Sequence, residues 1–246
     1  MSRRFVAVVL LLIAAIAAPL AAQDILPLKH IVIFNNNGRK PPSACVYPLF
    51  RLSEPFALVE DFYTPGTLDA TIVDNLGRAR MLYVGQYCNE SPLFADESIC
   101  EAVRALLKRG GLLFFDYATG SRGIRFRPDT VQFLKSVGVT APSEFHPGYG
   151  KDKFADAKAH AVLAKPVPLG GKDAGHYGWW EKWPAEQILL AHDSTDKGKA
   201  TLLVQDGVLG KGTIMFNQLP GAFRSPSGIY FDLVRNIIAH TYGEGR

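Results

Sequence analysis

Residues Ala102–Tyr117 read AVRALLKRGGLLFFDY, and this stretch decides the fold class. Just ahead of it, Asp96 is placed to cap a helix. The apolar residues Ile99, Val103, Leu106 and Leu107 then fall at helical spacing. Lys108 and Arg109 stand at the carboxyl end, where positive charge complements the helix dipole. Gly110 and Gly111 stop the helix. Leu112–Phe115 is apolar at every position, the mark of a strand buried on both faces in a parallel sheet. Upstream, Met81–Tyr87 (MLYVGQY) reads as another buried strand. Strand, helix, Gly-Gly and strand make a crossover unit, which requires the two strands to run parallel.

Working outward, His30–Phe34 (HIVIF) predicts a buried strand turning at Asn35–Gly38. Phe56–Phe62 is a further strand, and Thr67–Leu76 a helix. Pro128–Val137 predicts a helix ended by Gly138. Ser143–Trp183 is rich in Gly, Pro, His and aromatic residues with little periodicity, and reads as irregular. Gln187–Ala191 and Thr201–Gln205 are strands. Two glycines within Asp206–Lys211 join the second of these to Thr213–Asn217 as a hairpin. A terminal helix over Ser227–Tyr242 carries Ile229, Leu233, Ile237 and Ile238 on or near one face.

The chain has 246 residues, 48% of them hydrophobic and 20% charged, which excludes a disordered or fibrous chain. Residues Met1–Gln23 read MSRRFVAVVLLLIAAIAAPLAAQ. Two arginines, a short apolar run and a small-residue end are the parts of a secretory signal peptide. The run Phe5–Ala18 is shorter than the ~20 residues a spanning helix needs. Cleavage after Ala22 is expected, leaving residues 23–246 as one exported domain, periplasmic or secreted, with no membrane attachment. Losing Arg3 and Arg4 lowers the formal charge from +4 to +2, too little to point to nucleic acid. Export bears on Cys45, Cys88 and Cys100, an odd set. Cys88 reads as half of a disulfide with Cys100 or as an inert buried thiol. No Cys/His spacing suggests zinc, so no metal and no cofactor are expected.

Four segments carry a resemblance: Ala79–Tyr87, Ala102–Tyr117, His160–Ala164 (HAVLA) and Thr201–Gly221 (TLLVQDGVLGKGTIMFNQLPG). In order and spacing they resemble the class I glutamine amidotransferase-like superfamily. The resemblance is to its non-amidotransferase branches: trehalose-utilisation-type (ThuA-like) proteins, trimerisation domains of some β-galactosidases, and related exported domains. It implies an α/β fold, a flavodoxin-like three-layer α/β/α sandwich. That fold has a mainly parallel sheet and a C-terminal β-hairpin plus helix. It also argues against glutamine hydrolysis. The turn that carries the family's nucleophilic Cys reads Phe115-Asp116-Tyr117-Ala118 here, and no His is followed two residues later by Glu.

In an open parallel sheet ligands collect beyond the carboxyl ends of the strands. Those ends carry Asn35, Asn37, Gln86, Cys88, Asp116, Tyr117, Asn217 and Gln218. Amides, one carboxylate and one phenol suit a small polar ligand such as a sugar. Trp179 and Trp180 form an aromatic cluster that can stack on sugar rings or pin an irregular segment. Three expectations follow. The first is a non-catalytic exported domain binding a small polar ligand, such as a carbohydrate, or a protein partner. The second is an exported hydrolase using Asp116 or Cys88 with a histidine, His160 being one candidate. The third is a subunit that completes an oligomer.

Overall fold

The computed structural model describes residues 30–34, 59–63, 70–85, 92–116, 126–219 and 228–243. The helix expected after Asp96 forms as Glu97–Lys108. Asp96 Oδ1 caps it, accepting from the backbone N–H of Ser98 at 2.9 Å and of Ile99 at 3.4 Å. Ile99, Cys100, Val103, Leu106 and Leu107 are its buried stripe. Each of the large side chains contributes roughly 1.5–3 kcal/mol by leaving water. Gly110, at φ 86°, turns the chain into the strand Leu112–Asp116, every residue of which is buried.

In chain order the described elements are β1 (His30–Phe34), β2 (Val59–Tyr63), α1 (Ala70–Arg78), β3 (Ala79–Val84), α2 (Glu97–Lys108), β4 (Leu112–Asp116), α3 (Pro128–Ser136), β5 (Ser143–Phe154), β6 (Asp173–Lys182), β7 (Ile188–Asp193), β8 (Asp196–Val208), β9 (Gly212–Asn217) and α4 (Ile229–Tyr242). One nine-stranded sheet runs β2-β1-β3-β4-β9-β8-β6-β5-β7. The first five strands are parallel, with Phe34, Val84, Phe115 and Phe216 near one level. Their side chains alternate between two cores. Val32, Leu82, Leu113 and Phe115 pack with α1, α2 and α3. Ile33, Met81, Tyr83 and Phe114 pack with Leu233, Val234, Ile237 and Ile238 of α4.

The expected mainly parallel three-layer sandwich is overturned. Five of the nine strand pairings are antiparallel, and they join the longest strands. β8 pairs with β7 along one edge and divides its other edge between β9 and β6. As β5 joins β6 to β7, the strands β8, β6, β5 and β7 close into a small four-stranded barrel. The segment read as irregular supplies two of its walls. Its glycines lie under aromatic rings from the neighbouring strand. A Cβ on Gly178 would stand 2.3 Å from the Phe145 ring, and one on Gly148 2.6 Å from the Trp179 ring. Rings filling glycine gaps across a curved pair erase the alternation that a sequence reading relies on.

Of the expected Cys88–Cys100 pair, only Cys100 lies among the described residues. Cys100 is a free buried thiol whose Sγ lies 3.3 Å from the Phe94 carbonyl oxygen, as a donor to it. Cys88, Cys45 and residues 1–22, the expected signal peptide, lie outside the described residues.

Gly212 lets β9 pass beneath α2: an added Cβ would lie 2.8 Å from the Leu107 backbone oxygen and 2.9 Å from its Cα. Gly212→Ala is therefore expected to lower unfolding stability by about 1–3 kcal/mol through overpacking. Urea denaturation checks this, and an unchanged midpoint would contradict the close approach.

Candidate functional site

The parallel strands deliver side chains to one end of the sheet. Asp116 ends β4 and Asn217 ends β9, and the two are register partners. The Asn217 side-chain amide donates to Asp116 Oδ1 at 2.9 Å. On β3, Tyr83 donates its hydroxyl to Asp116 Oδ2 at 2.6 Å. Asn217 is itself locked, donating to the Leu219 carbonyl at 3.2 Å and accepting from the Leu219 N–H at 3.1 Å. The Tyr83 ring stacks on Phe114, 5.9 Å between centroids. Asp116 retains 8% exposure, whereas Tyr83 and Asn217 retain 2% and none. The carboxylate is thus held from both sides, one oxygen by each partner.

Gln218 follows directly. Its backbone N–H donates to the Thr201 carbonyl at 2.8 Å, and its carbonyl accepts from Tyr177 at 3.2 Å. Its side chain is buried, yet neither the amide oxygen nor the amide nitrogen has a hydrogen-bond partner. A buried amide left unpaired costs about 1–3 kcal/mol, so a polar guest or water at this point would be stabilised. Asn35, Asn37, Gln86, Cys88 and Tyr117 lie outside the described residues.

The histidines are engaged elsewhere. His160 Nε2 lies 2.8 Å from Asp206 Oδ2, and its Nδ1 accepts from the Val162 N–H at 3.2 Å. His240 stands beside it, ring centroids 5.0 Å apart. Donor atoms of His160, Asp206 and His240 lie within 4.8 Å of one another, close enough to share a cation. The tautomer opposes this. With Nδ1 accepting, Nε2 carries the proton and gives it to Asp206, so a metal at Nε2 would force a proton onto Nδ1 against the Val162 N–H.

His176 is buried inside the barrel between two acids: Nδ1 is 2.9 Å from Asp152 Oδ1, and Nε2 is 3.9 Å from Asp193 Oδ2. Burial pushes the Asp152 carboxyl above its ordinary value, against the opposing hydrogen bond with His176. Gly150 makes room here, since a Cβ would stand 2.4 Å from the imidazole Cε1.

The two tryptophans separate. Trp180 is buried in the core, its ring edge-on to Phe145 and Phe216. Trp179 stacks on His146 at 5.6 Å and carries the Lys199 ammonium 5.0 Å from its centroid. The sequence reading missed Tyr83 and Asp152. A phenol inside an apolar strand run is itself a signal, because it needs a buried partner.

No family model matches the chain, and no curated protein matches it in sequence. Solved structures do resemble it. A ThuA-like protein from Parabacteroides merdae ATCC 43184 superposes with a TM-score of 0.54 at 13% identity, covering 88% of this chain and 91% of that one. The mmIFT52 N-terminal domain gives 0.54 at 9% identity, covering 87% and 98%. A β-galactosidase from Rahnella sp. R3 gives 0.50 at 13% identity; the match covers 86% of this chain but only 31% of the galactosidase. At such identities the likeness is one of fold. Among the described residues, no helix is long and apolar enough to cross a membrane.

Two predictions follow from the titrating groups. Burial acts to raise the Asp206 carboxyl, but hydrogen bonds from His160 and Thr213 outweigh it and hold the group at about 2. A depressed carboxyl stabilises the fold above its unfolded value of 3.8 and loses that contribution as pH falls toward about 2. Asp206→Asn is expected to flatten unfolding free energy against pH across this window; an unaltered slope would contradict the assignment. Burial, with Glu97 nearby, pushes the Cys100 thiol up to about 11. Iodoacetamide at neutral pH should label Cys100 only after unfolding, as read by peptide mass spectrometry.

Proposed function

We propose that the chain is an exported, non-catalytic domain that binds a small neutral polyhydroxylated ligand, of the carbohydrate class, at the carboxyl ends of its parallel strands. The observation that carries this reading is the pairing at the strand ends: the Asp116 carboxylate is oriented by Tyr83 and Asn217 beside the buried, unpaired amide of Gln218. An aimed carboxylate beside amides is an acceptor for vicinal hydroxyl groups. The unpaired Gln218 amide, with one acceptor and two donors, adds to it.

For the hydrolase alternative, two candidate histidines among the described residues are already engaged. His160 is bonded to Asp206 and His176 to Asp152, so neither activates a group at Asp116. The turn after β4 begins with Asp116 where the resembled amidotransferases carry a Cys, which supports a binding role over acyl transfer. The fold likeness to a ThuA-like protein and to part of a β-galactosidase supports the carbohydrate class. The apolar Phe5–Ala18 run behind two arginines supports export.

Calorimetric titration of the mature protein with a panel of neutral mono- and disaccharides tests the reading. Saturable binding is expected for at least one sugar. Asp116→Asn should weaken it about 10- to 100-fold, the size of a hydrogen bond to a charged group. Tyr83→Phe, which keeps the ring packing, should weaken it less. No saturable heat from any sugar, or equal affinity in Asp116→Asn, would overturn the proposal.

A further inference from the structure

The wall of the barrel has two chemically different faces. Asp152 of β5 faces Asp193 of β7 across their antiparallel pair, and both approach His176 on the inside. The next register pair, Lys153 opposite His192, therefore projects to the other face. Directly opposed residues have Cβ atoms roughly 5 Å apart, so this lysine and this imidazole are neighbours on the outer wall.

Both line a cleft of about 650 Å³. Its sides come from Phe154–Ala157 and Gly170–Gly171 on one flank and from Ser194–Lys197 on the other. That volume is in the range of small-molecule sites. His192 is only 7% exposed. Its Nδ1 lies 2.7 Å from the Asp193 carbonyl oxygen, to which it donates. That bond fixes the tautomer: Nε2 carries a lone pair and has no partner among the described residues.

The charges around His192 are unequal in commitment. The cleft's two acids cap turns: Asp156 Oδ1 accepts from the Lys158 N–H, and Asp196 Oδ1 from the Gly198 N–H, each at 2.8 Å. Its two lysines, Lys153 and Lys197, have no ion pair among the described residues, where the paired lysines are Lys182 and Lys199. Ser194 adds a hydroxyl.

We propose that this cleft binds a small hydroxylated organic anion, with Lys153 and Lys197 holding its oxyanion and His192 Nε2 accepting from one of its hydroxyl groups. The site stands on the barrel wall and is separate from Asp116. The shared chemistry is an oxyanion on a polyol, borne either by a sugar acid or by a sugar phosphate.

Calorimetry on the mature protein at low salt tests it, with gluconate, glucose 6-phosphate, sulfate and glucose as probes. Gluconate or glucose 6-phosphate should bind saturably, and the tighter of the two identifies the oxyanion as carboxylate or phosphate. The double variant Lys153→Gln/Lys197→Gln should weaken binding at least 10-fold. His192→Gln should weaken the hydroxylated probe several-fold while leaving the affinity for sulfate, which offers no alcohol, unchanged. Asp116→Asn should bind the anion as the wild type does, which separates this site from the one proposed above. Absence of saturable binding by both anionic probes, or full affinity in the double lysine variant, would overturn the proposal. So would displacement of the anion by neutral glucose.

Discussion

The architecture hangs on β9, a six-residue strand paired on both edges by opposite rules. It runs parallel to β4 and antiparallel to β8, and all its residues are buried. Ile214 and Phe216 enter the core under α1, α2 and α3, while Met215 enters the core under α4. A strand in that position cannot slip. A shift of one residue would exchange the two apolar sets and bring Asn217 into a core. The same fixed register places Asn217 beside Asp116 and carries Gln218 to the foot of the barrel. Both halves of the sheet thus take their alignment from one strand, and the proposed carbohydrate site inherits it.

The legible parts of this sequence were those whose order is local. The run from Asp96 to Asp116 announces a capped helix, a stop and a doubly buried strand, and it forms as such. The helix after Arg127 follows the same logic, with Pro128 at its first turn. Ser143–Lys182 was opaque because its information lies between strands. Gly148 and Gly178 are explained by rings on the opposite strand, and Asp152 by a histidine 24 positions away. In the proposed site, Asp116 and Asn217 were singled out as strand ends. Their direct contact, across 101 positions, needed the register. Tyr83 looked like core, and so its ring is. Only its hydroxyl serves Asp116: a phenol in an apolar run announces that a partner exists, but not that the partner is Asp116, 33 positions away.

A four-stranded barrel encloses little volume, and this one places charge-bearing groups inside it. Asp152 and His176 satisfy each other at 2.9 Å, with Asp193 on the far side of the ring. Such a pair adds little net stability over apolar packing, but removing one partner leaves the other buried without compensation. The barrel is consequently sensitive to the loss of either partner. The cleft residues Lys153 and His192 are held by that same wall, because their register neighbours Asp152 and Asp193 are pinned from within.

The return of β7 onto β8 also governs how copies of this chain can meet. Closing the antiparallel strands leaves β2 as the terminal strand of the described order, while the closing seams stay short: β5 meets β7 at three register positions and β6 meets β8 at one. A sheet with two open margins can extend indefinitely in both directions; a sheet with one can join a single further copy, and growth stops there. The barrel therefore restrains strand-by-strand assembly at its end of the sheet, because its strands turn back on one another instead of facing outward.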